Sequence, residues 1–175
     1  MFENSKVKVR ALEPDDLSLL YKWENDVSEW KYSNTFIPFS SYTLKKFIEN
    51  AHADLFETRQ VRFVIETTDL NVNKAIGIID LFDYDSFHNR AGIGILIGEK
   101  QYRKNGYAKE ALGLIINYAF TILHLHQLFC NISFENEISL KLFIGKGFEI
   151  TGTKKQWLFN GNEWTDEYFL QLFNN

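Results

Sequence analysis

Apolar and polar positions alternate with a two-residue period over residues 6–11, where Val7, Val9 and Ala11 are separated by charged side chains; this predicts a half-buried strand. The period then lengthens. Leu17, Leu20, Trp23, Val27 and Trp30 recur every three or four residues behind Pro14, Asp15 and Asp16, residue types suited to a first helical turn and its positive dipole end. Ser40 and Ser41 precede a second helical stripe of Leu44, Phe47, Ile48 and Ala51. Residues 61–66, 75–82 and 91–98 read as an antiparallel meander, with polar turns at 69–74 and 83–90. The longest helical stripe covers 107–124, with Ala108, Ala111, Leu112, Ile115, Ile116, Ala119, Ile122 and Leu123 on one face. A strand at 127–134 follows, then a short helix capped by Asn136 and ending near Gly147, and finally two long strands joined at Asn160-Gly161. The order β-α-α-β-β-β-α-β-α-β-β predicts a single α/β domain over 1–175, a mixed sheet with at least one parallel crossover through the long helix.

Composition narrows the function. The 175 residues are 45% hydrophobic and 16% aromatic, enough for a sizeable core, and this excludes a disordered chain. A net charge of -4 argues against nucleic acid or an anionic membrane as partner and suits a cationic substrate. With one cysteine, Cys130, there is neither an internal disulfide framework nor a Cys-cluster zinc site. Cys130 shares a strand face with Leu128, Ile132 and Phe134 and reads as a core thiol. His124 and His126 lack the spacing of a zinc helix, so no metal is expected. The N-terminus carries no signal-like apolar segment and no run is long enough to span a bilayer, so the expected location is the cytoplasm.

The candidate chemistry lies between the strand at 91–98 and the long helix, in Arg103, Lys104, Asn105, Gly106, Tyr107 and Ala108. A strand delivers the chain to a helix N-terminus, whose free N–H groups and positive dipole end attract an anion; Gly106 allows close backbone approach, and Arg103 and Lys104 add charge. This suits a pyrophosphate, although an ordinary helix start flanked by two solvated cations has the same composition. It is neither a Walker loop nor a dinucleotide fingerprint.

In this stretch the sequence resembles the GCN5-related N-acetyltransferase (GNAT) family, whose Q/R-x-x-G-x-G/A pattern is matched by Arg103, Gly106 and Ala108. The resemblance extends over Val9-Arg10-Ala11-Leu12-Glu13 with Asp15-Asp16, Asn89-Arg90-Ala91, Glu135-Asn136-Glu137 and Gly147-Phe148, and within the family it is similar to the ribosomal-protein-alanine and spermidine acetyltransferase branch. It implies the GNAT fold and an acetyl-CoA-dependent N-acetyltransferase acting on a primary amine: a polyamine such as spermidine, a protein N-terminus or an amino sugar. A non-catalytic acyl-CoA-binding regulatory module of the same fold is the alternative.

Carried onto this chain, the resemblance implies that Leu96, Ile97 and Gly98 offer backbone groups to the pantetheine arm, that residues 103–108 hold the pyrophosphate, and that Asn136 contacts the cofactor as well as capping its helix. Two departures stand out. Lys104 replaces a glycine common in the loop, so a left-handed backbone there would be strained. Phe143 stands where spermidine-type enzymes carry a tyrosine proposed to protonate the departing thiolate, and phenylalanine has no proton to give. Asp80 and Glu66 are the candidate bases, Asp80 preferred because it aligns with an acidic residue of the spermidine-type relatives; a family glutamate after the Arg-Ala pair is Gly92 here. Asp26, Glu29, Trp30 and Tyr32 combine carboxylates and aromatic faces suited to a cationic amine, and equally suit a core with a solvated helix face. Trp157, Phe159, Trp164, Tyr168 and Phe169 of the last hairpin exceed what one sheet face buries and predict a homo-oligomer.

Overall fold

In the computed structural model, which describes residues 2–33, 35–52, 55–68 and 73–174, eight strands make one mixed sheet in the order β1-β2-β3-β4-β5-β6-β8-β7. The strands are β1 (Phe2–Glu3), β2 (Val7–Ala11), β3 (Val61–Thr67), β4 (Ala75–Asp85), β5 (Arg90–Ile97), β6 (Gln127–Ser133), β7 (Glu149–Phe159) and β8 (Trp164–Phe173). All neighbours run antiparallel except β5 and β6, which the long helix joins by the expected parallel crossover. The meander, the crossover and the final hairpin, whose loop holds Gly161 at φ 97°, agree with the alternation read from the sequence. The turn predicted at 69–74 lies, for residues 69–72, outside the described residues.

The helices are α1 (Leu17–Glu24), α2 (Val27–Trp30), α3 (Ser41–Glu49), α4 (Leu55–Thr58), α5 (Tyr107–Thr121) and α6 (Glu137–Ile144). On one sheet face α5 buries Tyr107, Ala111, Leu112, Ile115 and Ala119 against Val7, Val9, Ile65, Ile79 and Ile93. On the other, α1 and α3 bury Leu20, Trp23, Leu44 and Ile48 against Val64 and Ile78. Residues of opposite strand parity serve the two faces, as the pleat requires.

Several expectations shift by one element. The stripe from Leu17 to Trp30 is not one helix: it breaks at Asn25 and Asp26, both helix-capping residue types. The Asn25 side chain bridges the Phe39 backbone, donating to its C=O at 3.0 Å and accepting from its N–H at 2.8 Å, while Asp26 caps α2. Val27 is therefore exposed. Ala51 and Ile122, past the ends of α3 and α5, and Phe134, past the end of β6, are exposed too. Strand β1 and helix α4 are too short to show a period and were missed.

Ser40 caps α3, its Oγ accepting from the Thr43 N–H at 3.1 Å. Ser40→Ala is expected to cost about 1 kcal/mol of unfolding free energy, read from urea denaturation, because it strands that donor.

Candidate active site

Strands β5 and β6 pair at only three positions, from Arg90↔Gln127 to Gly92↔Phe129, and then diverge. Beyond Gly92, β5 continues to Ile97 against β4 alone, while β6 continues to Ser133 against β8. The wedge between them is a cavity of about 490 Å³ whose walls are Ile93 to Ile97 on one side and Cys130 to Ser133 on the other. The Arg103 guanidinium donates through Nε to the Ile97 carbonyl at 2.8 Å, so the backbone of Ile97 faces the wedge. By the two-residue period, so do the C=O of Ile93 and the N–H and C=O groups of Ile95. Leu96 and Ile97 both line the cavity, but only Ile97 turns its backbone to it: the Leu96 N–H and C=O point to β4. Gly98 does not line it: the Trp23 indole fills the space where its side chain would begin, 2.4 Å from an added Cβ.

At the wide end, β5 leads through Glu99 and the turn Lys100–Tyr102 into α5. Glu99 is fixed by Lys22 and by the Trp23 Nε1–H, and the Lys22 hydrogen bond holds its carboxyl below the usual range against the opposing effect of burial. Lys104 has φ 63° and Gly106 φ 86°, so two residues of the loop are left-handed, and Lys104 bears the strain foreseen for it. Gly106 caps α5 without a side-chain hydrogen bond, leaving the first-turn N–H groups of Ala108 and Lys109 to the cavity they line. Lys104, Gly106, Tyr107 and Ala108 thus stand where the sequence put them. Asn105 turns away, its Nδ2 donating to the Arg103 carbonyl at 3.2 Å, and does not line the cavity. Lys6, unremarked in the sequence, lies with its ammonium 5.2 Å from the Tyr107 ring and close to Gly106; nothing local in its sequence context signals this.

The two candidate bases fare differently from expectation. Glu66 is far from the wedge, accepting from Arg10 at 2.6 Å and paired with Lys8 at 3.4 Å, while Arg10 also grips buried Asp16 through two bonds of 2.7 and 2.8 Å. Burial works to raise the Asp16 carboxyl, but hydrogen bonds from Arg10 and the Glu13 N–H outweigh it and hold it low. Glu66 therefore belongs to a structural ion network and is not placed to act as base. Asp80 is gripped by Arg62 through both oxygens at 2.7 Å and does not line the cavity, although it lies opposite Gly94, which does. Arg62 also binds Glu24 and stacks over Phe47, 5.0 Å to the ring centroid. Burial alone would favour a neutral guanidinium, and Asp80 and Glu24 more than offset it. Of this trio Glu24 is the carboxylate that reaches the cavity, and sequence reasoning missed it because its partner is far along the chain.

Glu29, Trp30 and Tyr32 line the same cavity. Trp30 donates its indole N–H to the Glu24 carbonyl at 2.9 Å, and Glu29 accepts from Arg103 at 2.8 Å. Asp26 is not in the lining: it caps α2 and pairs with Lys100 at 2.7 Å, and the Lys100 and Ser28 hydrogen bonds hold its carboxyl at about 2. Asn136 both caps α6, accepting from the Ser139 N–H at 3.1 Å, and lines the cavity. Phe143 is buried edge-on against Phe148 and closes the wall between α6 and the wedge. The Phe82 ring occupies the space beside Gly92, its nearest atom 2.3 Å from an added Cβ, which explains why no glutamate side chain fits there.

Cys130 lines the cavity but is 3% exposed, and burial pushes its thiol up to about 12. It is expected to show no reaction with a thiol-reactive dye at pH 8 in the native protein and one equivalent in urea, since the thiolate is the reacting form.

Three findings on related proteins bear on this site. The family model described as the Acetyltransferase (GNAT) domain matches residues 6–149. The spermidine N(1)-acetyltransferase of Vibrio cholerae serotype O1 is 27% identical over 166 residues, covering 93% of this chain and 90% of that protein. The crystal structure of spermidine N-acetyltransferase from Vibrio cholerae with CoA and spermine superposes with a TM-score of 0.86 at 24% identity, covering 97% and 96% of the two chains; a dodecameric structure of that enzyme in an intermediate state gives 0.79 at 24%, covering 97% and 95%. The wedge between β5 and β6 and the uncapped start of α5 lie within the span that the family model matches, and on that match the chain belongs to the GNAT acetyltransferase family and is an N-acetyltransferase.

Proposed function

We propose that the chain transfers the acetyl group of acetyl-CoA to a primary amine of a polyamine-class acceptor, by direct attack while both are bound. The observation that carries this reading is one cavity lined both by an anion-binding helix start and by the carboxylates Glu24 and Glu29 among aromatic side chains. The residues fit the coenzyme. The first-turn N–H groups of Ala108 and Lys109 and the cations Arg103, Lys104 and Lys6 suit a pyrophosphate, and the unpaired edge of β5 suits the amides of a pantetheine arm. When bound, the thioester supplies an activated acetyl carbonyl.

The chain's own groups do the rest. The inward N–H groups of β5 polarise the carbonyl as it takes up negative charge. Trp23, Trp30 and Tyr32 surround the acceptor with aromatic faces, and Glu24, oriented by Arg62 with Asp80 behind it, receives the proton that the ammonium must lose before attack. The new C–N bond then forms as the C–S bond breaks, and the nitrogen releases its second proton to solvent. Phe143 excludes water from that wall but donates no proton, so the thiolate departs as the anion and is protonated from solvent. Asp80 is on this reading a positioning residue.

The relatives named for spermidine support the acceptor class, and the exposed Trp157, Phe159 and Trp164 support self-association, as does the dodecameric state of the Vibrio cholerae protein. We take the chain as one catalytic domain working in the cytoplasm. The test is thiol release from acetyl-CoA with spermidine, spermine, peptides with free N-termini and amino sugars. Release with the polyamines and not the others is the expected result; release only with a peptide or sugar would replace the acceptor, and binding of coenzyme A without release from any amine would leave the regulatory module.

A further inference from the structure

Helix α2 is held to the coenzyme loop by charge. None of its four residues is buried. Two acidic side chains at this turn, Asp26 and Glu29, meet two cations of the segment leading into α5: Lys100 to Asp26 at 2.7 Å and Arg103 to Glu29 at 2.8 Å. Arg103 is incompletely satisfied in this arrangement, because its Nη2 is buried with no hydrogen-bond partner. A buried guanidinium nitrogen without an acceptor is costly, and it stands beside a cavity whose other cationic and N–H groups await an anion.

We propose that Glu29 is the carboxylate that binds the acceptor ammonium, and that Arg103 masks it until a coenzyme phosphate draws the guanidinium away. In the free protein Arg103 neutralises Glu29. With the coenzyme bound, the phosphates outcompete one carboxylate for Arg103, and Glu29 then faces the cavity as an unpaired anion beside Trp30 and Tyr32. The two ligands are thereby coupled: each strengthens the other's binding by the same factor. The coenzyme half of this inference stands on Arg103 and Glu29 alone; the acceptor half rests on the polyamine reading above.

The experiment measures coenzyme A affinity by calorimetry for the wild type, Glu29→Gln, Arg103→Gln and the double variant, with thermal melts to confirm folding. Glu29→Gln is expected to tighten coenzyme A about fivefold, since Arg103 no longer has a competing partner, and to have no such effect in the Arg103→Gln background. Unchanged or weaker binding in Glu29→Gln overturns the exchange. So does an equal effect in both backgrounds, which would reduce Glu29 to a distant repelling charge. For the acceptor half, the KM for spermidine is expected to rise about tenfold in Glu29→Gln with kcat nearly kept, and a KM within twofold of wild type overturns it. If the wild type acetylates no polyamine, the polyamine reading fails while the calorimetric arm still reads the exchange.

Discussion

Arg62→Met is expected to lower the unfolding free energy by about 3 to 5 kcal/mol at pH 7, because it leaves two largely buried carboxylates without their shared cation. Glu24 and Asp80 are 16% and 17% exposed at the side chain, and Arg62 supplies hydrogen bonds to both. Restoring neutrality with Asp80→Asn in the Arg62→Met background should recover part of the stability at pH 7. Turnover is expected to fall with the single substitution and to stay low in the double variant, because Glu24 has lost the group that aims it. Urea titrations at pH 7, with acetyl transfer assayed well below the melting temperature, separate the two effects. Equal stability of Arg62→Met and wild type at pH 7 would show that the trio is no ion network.

The second large effect is expected at Gly106. Gly106→Val places a β-branched residue at φ 86°, where the left-handed backbone costs about 1 to 2 kcal/mol, and sets a side chain against the N–H groups that face the phosphates. Coenzyme A affinity should drop about a hundredfold, near 2.7 kcal/mol. Gly161 provides the control. It has φ 97° and nothing within 4 Å of an added Cβ, so Gly161→Val carries a similar backbone strain in the distant hairpin and should leave coenzyme binding intact. If both variants bind coenzyme A alike, the α5 start is not the anion site.

Much of the fold was readable because each long element repeats its period many times and ends on a residue with a local reason to be there. Asn136 caps α6, Ser40 caps α3, and Asn160-Gly161 turns the final hairpin. The coenzyme end was readable for the same reason: Arg103 to Ala108 is one contiguous stretch, and its chemistry depends on a glycine and a helix start that adjacent residues define. The acceptor end was not. Glu24, Arg62 and Asp80 come from α1, β3 and β4, and no local pattern distinguishes a carboxylate that lines a cavity from one that closes a distant ion pair. That is why Glu66 looked as suitable as Asp80, yet it is paired with Arg10 and Lys8 of β2, away from β5. The break at Asn25 had a visible cause, two adjacent capping residues, but the hydrophobic stripe ran through it and concealed it.

The three-pair contact between β5 and β6 gives the sheet a seam. On one side of it β1 to β5 are each paired with their sequence neighbours, and on the other β6 to β8 form a self-contained group, so below Gly92 little but helix α5 and side-chain packing ties the halves together. A pantetheine amide chain lying in the wedge takes the place of the missing rungs and makes a continuous ladder of what is otherwise a partly unzipped one. Among the amides of the central strands, that of Ile95 should therefore exchange fast although it lies in the middle of the sheet, and its slowing upon coenzyme addition would measure how far the ligand serves as a ninth strand.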